Sequence, residues 1–221
     1  MSEMNLESLY KNRFDDSALN RRKVLWQTLC RGFFQRYVPK DSTVLDIAAG
    51  YCEFINNIDC ARKFAVDLNE NAFRYADPDV KVFVCPSVDM SPIPRESIDI
   101  AFMSNFLEHL ESRQQIIQTL TEVRRVLKPS GSIMILQPNI RYLYREYWDF
   151  FDHCIPISDK SLTEVLLMTG FTIKQSIPKF LPYTTKSGIP QSSFLVRLYL
   201  KMPIAWKIFG KQAFIVAQKN G

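Results

Sequence analysis

Residues 44–54 read VLDIAAGYCEF, an apolar run carrying one aspartate that enters a turn built around Gly50. A phosphate-cradling turn after a first strand carries three glycines, so that backbone and ligand can approach closely. Here Ala48 and Cys52 stand at the other two glycine positions. The turn keeps the outline of a nucleotide-binding loop while lacking two of the residues that a pyrophosphate requires.

Working outward, further short apolar runs recur at KFAVD (63–67), VKVFVC (80–85), IDIAFMS (98–104) and SIMILQ (132–137), each reading as a buried strand. Ile116, Leu120, Val123 and Leu127 mark one face of a helix between the fourth and fifth runs, with Pro129 and Gly131 expected to end it. A leading helix is expected over about 20–37, with Val24, Leu25, Leu29, Phe33 and Phe34 near helical spacing and Pro39 closing it. Strands alternating with helices imply a parallel sheet with right-handed crossovers. FTIKQSI (171–177) and QAFIVAQ (212–218) lack a clear crossover helix between them, so the final strand is expected to run antiparallel.

The fold class expected is therefore α/β, a Rossmann-like central sheet of seven mostly parallel strands with an antiparallel last strand and helices on both faces. One domain is expected over 1–221: a helical cap at 1–40, a cofactor-binding core at 41–137 and a substrate-side half at 138–221. The stretch 178–211 exceeds the roughly 12–15 residues of an ordinary loop. Its apolar and basic SSFLVRLYLKMPIAWKIF, with Pro203 able to start a short helix, reads as a lid, a membrane-contacting surface or a helical pair on the sheet edge.

Composition narrows the partners. With 47% hydrophobic and 23% charged residues the chain has no disordered signature, and no apolar run reaches transmembrane length. MSEMNLESLYKNRFDD is too polar for a secretory signal, so a cytoplasmic location is expected. Five cysteines without CxxC spacing indicate neither a disulfide framework nor a zinc site, and no metal is expected. The net charge of +5 is unevenly spread: residues 1–40 carry +4 and 165–221 carry +8 with no carboxylate, leaving −7 for 41–164. A basic end can gather an anionic partner or simply form a solvated face.

S-adenosylmethionine carries no phosphate, so a turn with one glycine and two small residues can approach it. Asp67 ends the second run 21 residues after Asp46, where an acceptor for two ribose hydroxyls belongs. NAD would use the same carboxylate, but the missing glycines and the antiparallel tail argue against it.

VLDIAAGYCEF, AVDLN (65–69), SVDM (87–90), IDIAFMSNFLEHL (98–110) and RRVLKPSGSIMIL (124–136), in this order, resemble the motifs of class I S-adenosylmethionine-dependent methyltransferases. The nearest subgroup is the small-molecule type 11 kind, whose fourth strand ends in Asn-x-x-Glu-His. The resemblance implies that Asp46, Ala48 and Gly50 frame the methionine part of the cofactor. It further implies that Asp67 holds the ribose, Leu68 packs on the adenine, Asp89 accepts from the exocyclic amine and Asn105 faces the sulfonium. Asp46 equally suits satisfying turn amides, and Asp89 capping the turn before Pro92. Tyr10 and Arg13 are candidates to close over the cofactor carboxylate, the arginine fork matching a carboxylate.

Methyl transfer to a hydroxyl needs a proton acceptor. The chain has two histidines, His109 four residues past Asn105 and His153 in the aromatic stretch YWDFFDHCIPIS, and both are candidate bases. His109 equally suits a helix-start histidine that positions its loop, His153 a capping or packing role, and Asp152 need not orient its neighbour His153, because adjacent residues on an extended chain point apart. Tyr142, Tyr144, Tyr147 and Trp148 offer either a stacking wall or a core face.

Beyond residue 137 the chain resembles methyltransferases found with bacterial cell-surface polysaccharide enzymes, which implies a saccharide acceptor, methylated on oxygen, with a lipid-linked carrier and peripheral contact with an anionic membrane as further implications. A non-catalytic module of the same fold is the alternative. Nucleic acid is disfavoured: SNFL stands where a Pro-Pro-Tyr-like tetrad would follow the fourth strand, and the basic residues form no patch interleaved with aromatics.

Overall fold

The computed structural model describes residues 16–183 and 192–221. Seven strands form one sheet: β1 (Thr43–Ile47), β2 (Arg62–Asp67), β3 (Val80–Val84), β4 (Ile98–Ser104), β5 (Leu127–Pro138), β6 (Phe171–Ile177) and β7 (Gln212–Lys219). Their spatial order is β3-β2-β1-β4-β5-β7-β6. The first five strands pair in parallel, and β7 inserts antiparallel between β5 and β6. The order reverses between β1 and β4, and in open α/β sheets the crevice beyond the strand ends at such a switch point receives the ligand.

Strand alternation divides the core into two layers. Leu45 and Ile47, Ala101 and Met103, Ile133 and Ile135, and Ile215 and Ala217 face one layer. Val44, Ile100 and Phe102, Met134 and Leu136, and Phe214 and Val216 face the other. Near-continuous apolar strands are what a sheet covered on both faces requires. The first layer is closed by α3 (Arg113–Val126) and α5 (Asp159–Met168), through Ile116, Leu120 and Val123 and through Leu162 and Leu166. Ser112 caps α3 by accepting from the Gln115 amide.

The second layer is closed by α1 (Asp16–Gly32) and the 3₁₀ turn Phe34–Tyr37, with an aromatic cluster of Phe33, Phe34, Phe54, Phe102, Phe180 and Phe214. Phe54 stacks on Phe102 with ring centroids 3.7 Å apart. Burying each such ring stabilises the fold by about 1.5–3 kcal/mol. Val24, grouped with the apolar face by spacing, is 46% exposed: burial falls instead on Leu29 and Cys30 at the end of α1 and on Phe33 just beyond it.

Pro129 and Gly131 do not end α3 as expected. The helix stops at Val126, and both residues lie in the irregular start of β5, where the pairing with β4 shifts register between Ile98 and Ile100. Gly131 is favoured there because a Cβ would crowd the carbonyl oxygens of Lys128, Asp99 and Ile98 at 3.0–3.2 Å. Two further short helices, α2 (Ala72–Tyr75) and α4 (Ile140–Leu143), lie in crossovers.

Between β6 and β7 the chain forms α6 (Ser193–Leu200) and α7 (Pro203–Phe209). Leu200 is buried close to Gly32 of α1, and Trp206 lies edge-on to Phe33 and Phe180. This pair therefore packs on the cap side of the sheet. Its outer side leaves Phe194, Leu198, Ile204, Ile208 and Phe209 exposed. No helix among the described residues is long and apolar enough to cross a membrane.

Candidate active site

The turn after β1 adopts the conformation of a glycine loop without its glycines. Ala48, Gly50 and Cys52 have φ of 55°, 52° and 55°, so three alternate residues sit in the left-handed region. For a residue with a side chain this costs about 1–2 kcal/mol. Cys52 is compensated by complete burial, with its thiol toward the Ala72 carbonyl at 3.7 Å, and burial pushes its pKa up to about 12. A Cβ on Gly50 would meet nothing within 4 Å, so the loop presents bare backbone to open space. That is a cradle into which a ligand can settle.

Asp67 at the tip of β2 holds this loop. Its Oδ2 accepts from the Gly50 amide at 2.8 Å and its Oδ1 accepts from the Asn69 amide at 2.8 Å. A carboxylate has about four lone-pair sites, so two remain for a ribose diol. Leu68 beside it is 63% exposed, an apolar surface fitted to a purine ring.

Asp46 is buried beneath the loop. Burial raises its pKa well above the usual carboxylate range, against the Ile55 amide that donates to it, and the Asp67 and Glu53 carboxylates raise it further. Glu53 is gripped by Arg22 of α1, whose Nε and Nη2 donate to the two carboxylate oxygens at 2.9 and 2.6 Å. The open Gly50 backbone and the Asp67 carboxylate that holds it are the groups a cofactor could meet at this turn.

Asp89 is exposed, and its Oδ1 accepts from the Ser91 amide at 3.1 Å, the turn-capping arrangement. Asn105 follows β4 with φ of 48°. Its amide donates to the Leu136 carbonyl and its Nδ2 to Ser104 Oγ, each at 2.9 Å, while its buried Oδ1 has no hydrogen-bond partner among the described residues. Tyr10 and Arg13 lie outside the described residues.

His109 and His153, 44 positions apart, come together, with ring centroids 5.1 Å apart. Two amides stitch their segments, Cys154 and Ile155 donating to the Glu108 carbonyl at 2.7 and 3.2 Å. His109 Nδ1 lies 3.1 Å from the Asp152 carbonyl oxygen and 3.3 Å from Asp152 Oδ2, so Asp152 is placed to orient His109. His153 is buried, stacked on Phe150 and edge-on to Tyr147.

Glu108 is wholly buried. Its Oε2 accepts from Gln137 Nε2 at 2.8 Å, and its Oε1 stands 3.8 Å from His109 Nε2. Burial raises the Glu108 pKa, with neighbouring His109 and the Gln137 hydrogen bond acting against it. Sequence reasoning passed over Glu108, Gln137 and Arg22, and weighed Asp152 only against its neighbour His153. Glu108 was within reach, since it is the fourth residue of the Asn-x-x-Glu-His pattern. The others lie far from their partners in sequence.

Of the four aromatic candidates, Tyr147 is core, its hydroxyl donating to the Ile155 carbonyl and accepting from the Ile157 amide. Tyr144 and Trp148 are 60% and 54% exposed, joined by Phe151 at 90%. Tyr142 is partly buried, with Lys179 Nζ 4.9 Å from its ring centroid.

Residues 45–135 match the family model described as a methyltransferase domain. No curated protein matches the sequence. Among solved structures, a SAM-dependent methyltransferase from Archaeoglobus fulgidus is 22% identical, with 90% of this chain and 94% of that one covered and a TM-score of 0.67. A SAM-dependent methyltransferase from Methanosarcina mazei is 19% identical, covering 85% and 96%, with a TM-score of 0.62. Geranyl diphosphate C-methyltransferase from Streptomyces coelicolor, solved with Mg2+, geranyl diphosphate and S-adenosyl-L-homocysteine, is 14% identical, covering 86% and 76%, with a TM-score of 0.61. At these identities the likeness speaks for the fold. The seven-stranded sheet is the fold of those structures, and the match to the methyltransferase-domain model falls on its first five strands.

Proposed function

We propose that the protein methylates an oxygen of a small-molecule or saccharide acceptor, with S-adenosylmethionine as methyl donor. The observation that carries this reading is the pairing of two built features at the strand tips. One is the Asp67-held loop with open backbone at Gly50; the other is the His109–His153 pair backed by Glu108 and Asp152. The cofactor, when bound, supplies an electrophilic methyl group. Asp67 would hold its ribose, Leu68 its adenine, and Asp46, Ala48 and Gly50 its methionine part. Asn105 brings an unmatched buried acceptor to the end of β4. The protein's remaining task is alignment and exclusion of water, since in-line displacement gains most from a near-attack geometry.

A hydroxyl acceptor must lose its proton, and His109 and His153 are the groups that would activate it. Exposed Tyr144, Trp148 and Phe151 border this segment and suit stacking on a sugar face. The outer side of α6 and α7 supports a lipid-linked acceptor at an anionic membrane. Exposed Phe194, Ile204 and Ile208 accompany exposed Arg197, Lys201 and Lys207, with no carboxylate after residue 164.

The test is incubation with methyl-labelled S-adenosylmethionine and separated soluble metabolites, nucleotide sugars, lipid-linked glycans and RNA. Label in a saccharide fraction supports the reading. Label in RNA overturns it, and no label in any fraction favours a non-catalytic module of the same fold.

A further inference from the structure

The turn after β4 and the loop after α4 bring two imidazoles and a carboxylate to one point. One donor atom each from Glu108, His109 and His153 lie within 4.8 Å of one another. We propose that these three residues bind a first-row divalent transition ion of the zinc, cobalt or manganese kind beside the acceptor end of the site. This departs from the expectation of no metal, which rested on cysteine spacing and could not see ligands drawn from segments 44 residues apart.

Three observations carry it. First, Glu108 is fully buried, and its Oε1 has no hydrogen-bond partner among the described residues while facing His109 Nε2 at 3.8 Å. An ionised carboxylate buried with an unmatched oxygen is costly unless a cation meets it. Second, His109 Nδ1 is placed to donate to Asp152, at 3.1 Å from its carbonyl and 3.3 Å from its carboxylate. A neutral ring whose Nδ1 donates keeps its lone pair on Nε2, so two electron-pair donors face each other across the gap. Metal-bound histidines characteristically give their other N–H to a carboxylate or carbonyl, and ligating carboxylates are themselves hydrogen-bonded, as Gln137 does for Glu108 at 2.8 Å. Third, the two ligand-bearing segments are joined by the Cys154 and Ile155 amides, so the set is held in place by backbone bonds.

Two ligands sharing a tetrahedral ion at about 2.1 Å stand about 3.4 Å apart. The 3.8 Å between Glu108 Oε1 and His109 Nε2, and separations of up to 4.8 Å within the set, close to that spacing by rotation of the side chains. Two imidazoles with one carboxylate suit a borderline transition ion, whereas magnesium prefers an all-oxygen octahedron. The His109 side chain is 29% exposed, which leaves the site approachable from solvent. On the reading of an oxygen acceptor, which this consequence rests on, a coordinated hydroxyl loses its proton to water while the electron pair of the broken O–H bond stays on oxygen. His109 and His153 would then act as ligands instead of proton acceptors. The competing occupant of the gap is a proton, giving an imidazolium between Glu108 and Asp152.

The test uses the full-length protein, stripped with chelator and titrated with Co2+, Zn2+, Mn2+ and Mg2+ by calorimetry, with Co2+ absorption read in parallel. The expected result is one equivalent of Co2+ giving visible d–d bands, with affinity weakened at least about tenfold in Glu108→Gln and in Asp152→Asn, and weaker binding of Mg2+. His153→Gln serves as a second ligand variant, with circular dichroism confirming that each variant folds. Absence of d–d bands, or affinity unchanged in every folded variant, assigns the gap to a proton and overturns the proposal. S-adenosylhomocysteine titrated into the same stripped protein separates the two claims: cofactor product bound without metal leaves the methyltransfer reading standing alone.

Discussion

The Gly50 amide donates to the Asp67 carboxylate at 2.8 Å, joining the tip of β2 to the turn after β1. A second amide, from Asn69, takes the other carboxylate oxygen at the same distance. One side chain thus fixes a loop whose backbone is left-handed at three alternate residues and strained at two of them, Ala48 and Cys52. Replacing Asp67 by asparagine removes the charge from both bonds and one of the two acceptors. The expected cost is about 1–3 kcal/mol, read as a fall in the urea midpoint. A midpoint equal to wild type would mean that the loop is held by something else.

Ala48 and Cys52 separate strain from packing. Both occupy left-handed φ, but Cys52 is buried in the core and Ala48 is not. Glycine at 48 relieves about 1–2 kcal/mol of strain against about 0.4–1 kcal/mol of added unfolded-chain entropy, so Ala48→Gly is expected to raise the melting temperature slightly. Cys52→Gly loses a fully buried side chain and is expected to lower it. Thermal unfolding of the two variants checks this, and shifts of the same sign would contradict it.

Asp46 makes stability depend on pH. Burial raises its folded pKa above the unfolded value, so the folded state binds the proton more tightly. Its contribution is fully present below about pH 4 and is lost as pH rises through the raised pKa. Asp46→Asn removes this dependence. Denaturant midpoints at pH 5 and pH 8 should show the variant gaining on wild type at the higher pH, and parallel midpoints would refute the assignment.

The outer side of α6 and α7 gives a binding prediction. Ile204→Ser with Ile208→Ser removes exposed apolar area, and Lys201→Glu with Lys207→Glu reverses two exposed cations at about 1 kcal/mol per cation. Each pair should weaken sedimentation with phosphatidylglycerol vesicles by about tenfold or more, the charge pair more strongly at low salt. Equal binding to neutral and anionic vesicles would rule out the electrostatic part.

Much of the fold was legible because strand alternation and apolar runs are local signals. Each predicted run lies within or along a strand, since a sheet covered on both faces demands unbroken apolar segments, but β5 already begins at Leu127, which its spacing had placed on the preceding helix. The start of β5 was not legible. Pro129 and Gly131 read as helix stops, yet a helix can end before them, and what places Gly131 is the nearness of the Asp99 and Ile98 carbonyls across the sheet. Around the candidate site, a turn at Gly50 and an aspartate ending β2 at Asp67 were legible from their spacing, though the hydrogen bond between them was not. The Asp152–His109 contact was not, because residues 43 apart meet only once β4 and β5 are paired. Arg22 escaped for the same reason, its partner Glu53 lying 31 residues away.

The central claim is that the turn after β1 and the carboxylate of Asp67 form the cofactor site. The most direct measurement is calorimetric titration of S-adenosylhomocysteine into wild type and Asp67→Ala, with folding of the variant verified by circular dichroism. One equivalent bound by wild type and an affinity at least about tenfold lower in the folded variant, as expected when a charged hydrogen-bond partner is lost, is the predicted result. Undiminished binding to Asp67→Ala, or no binding to wild type, would contradict the account.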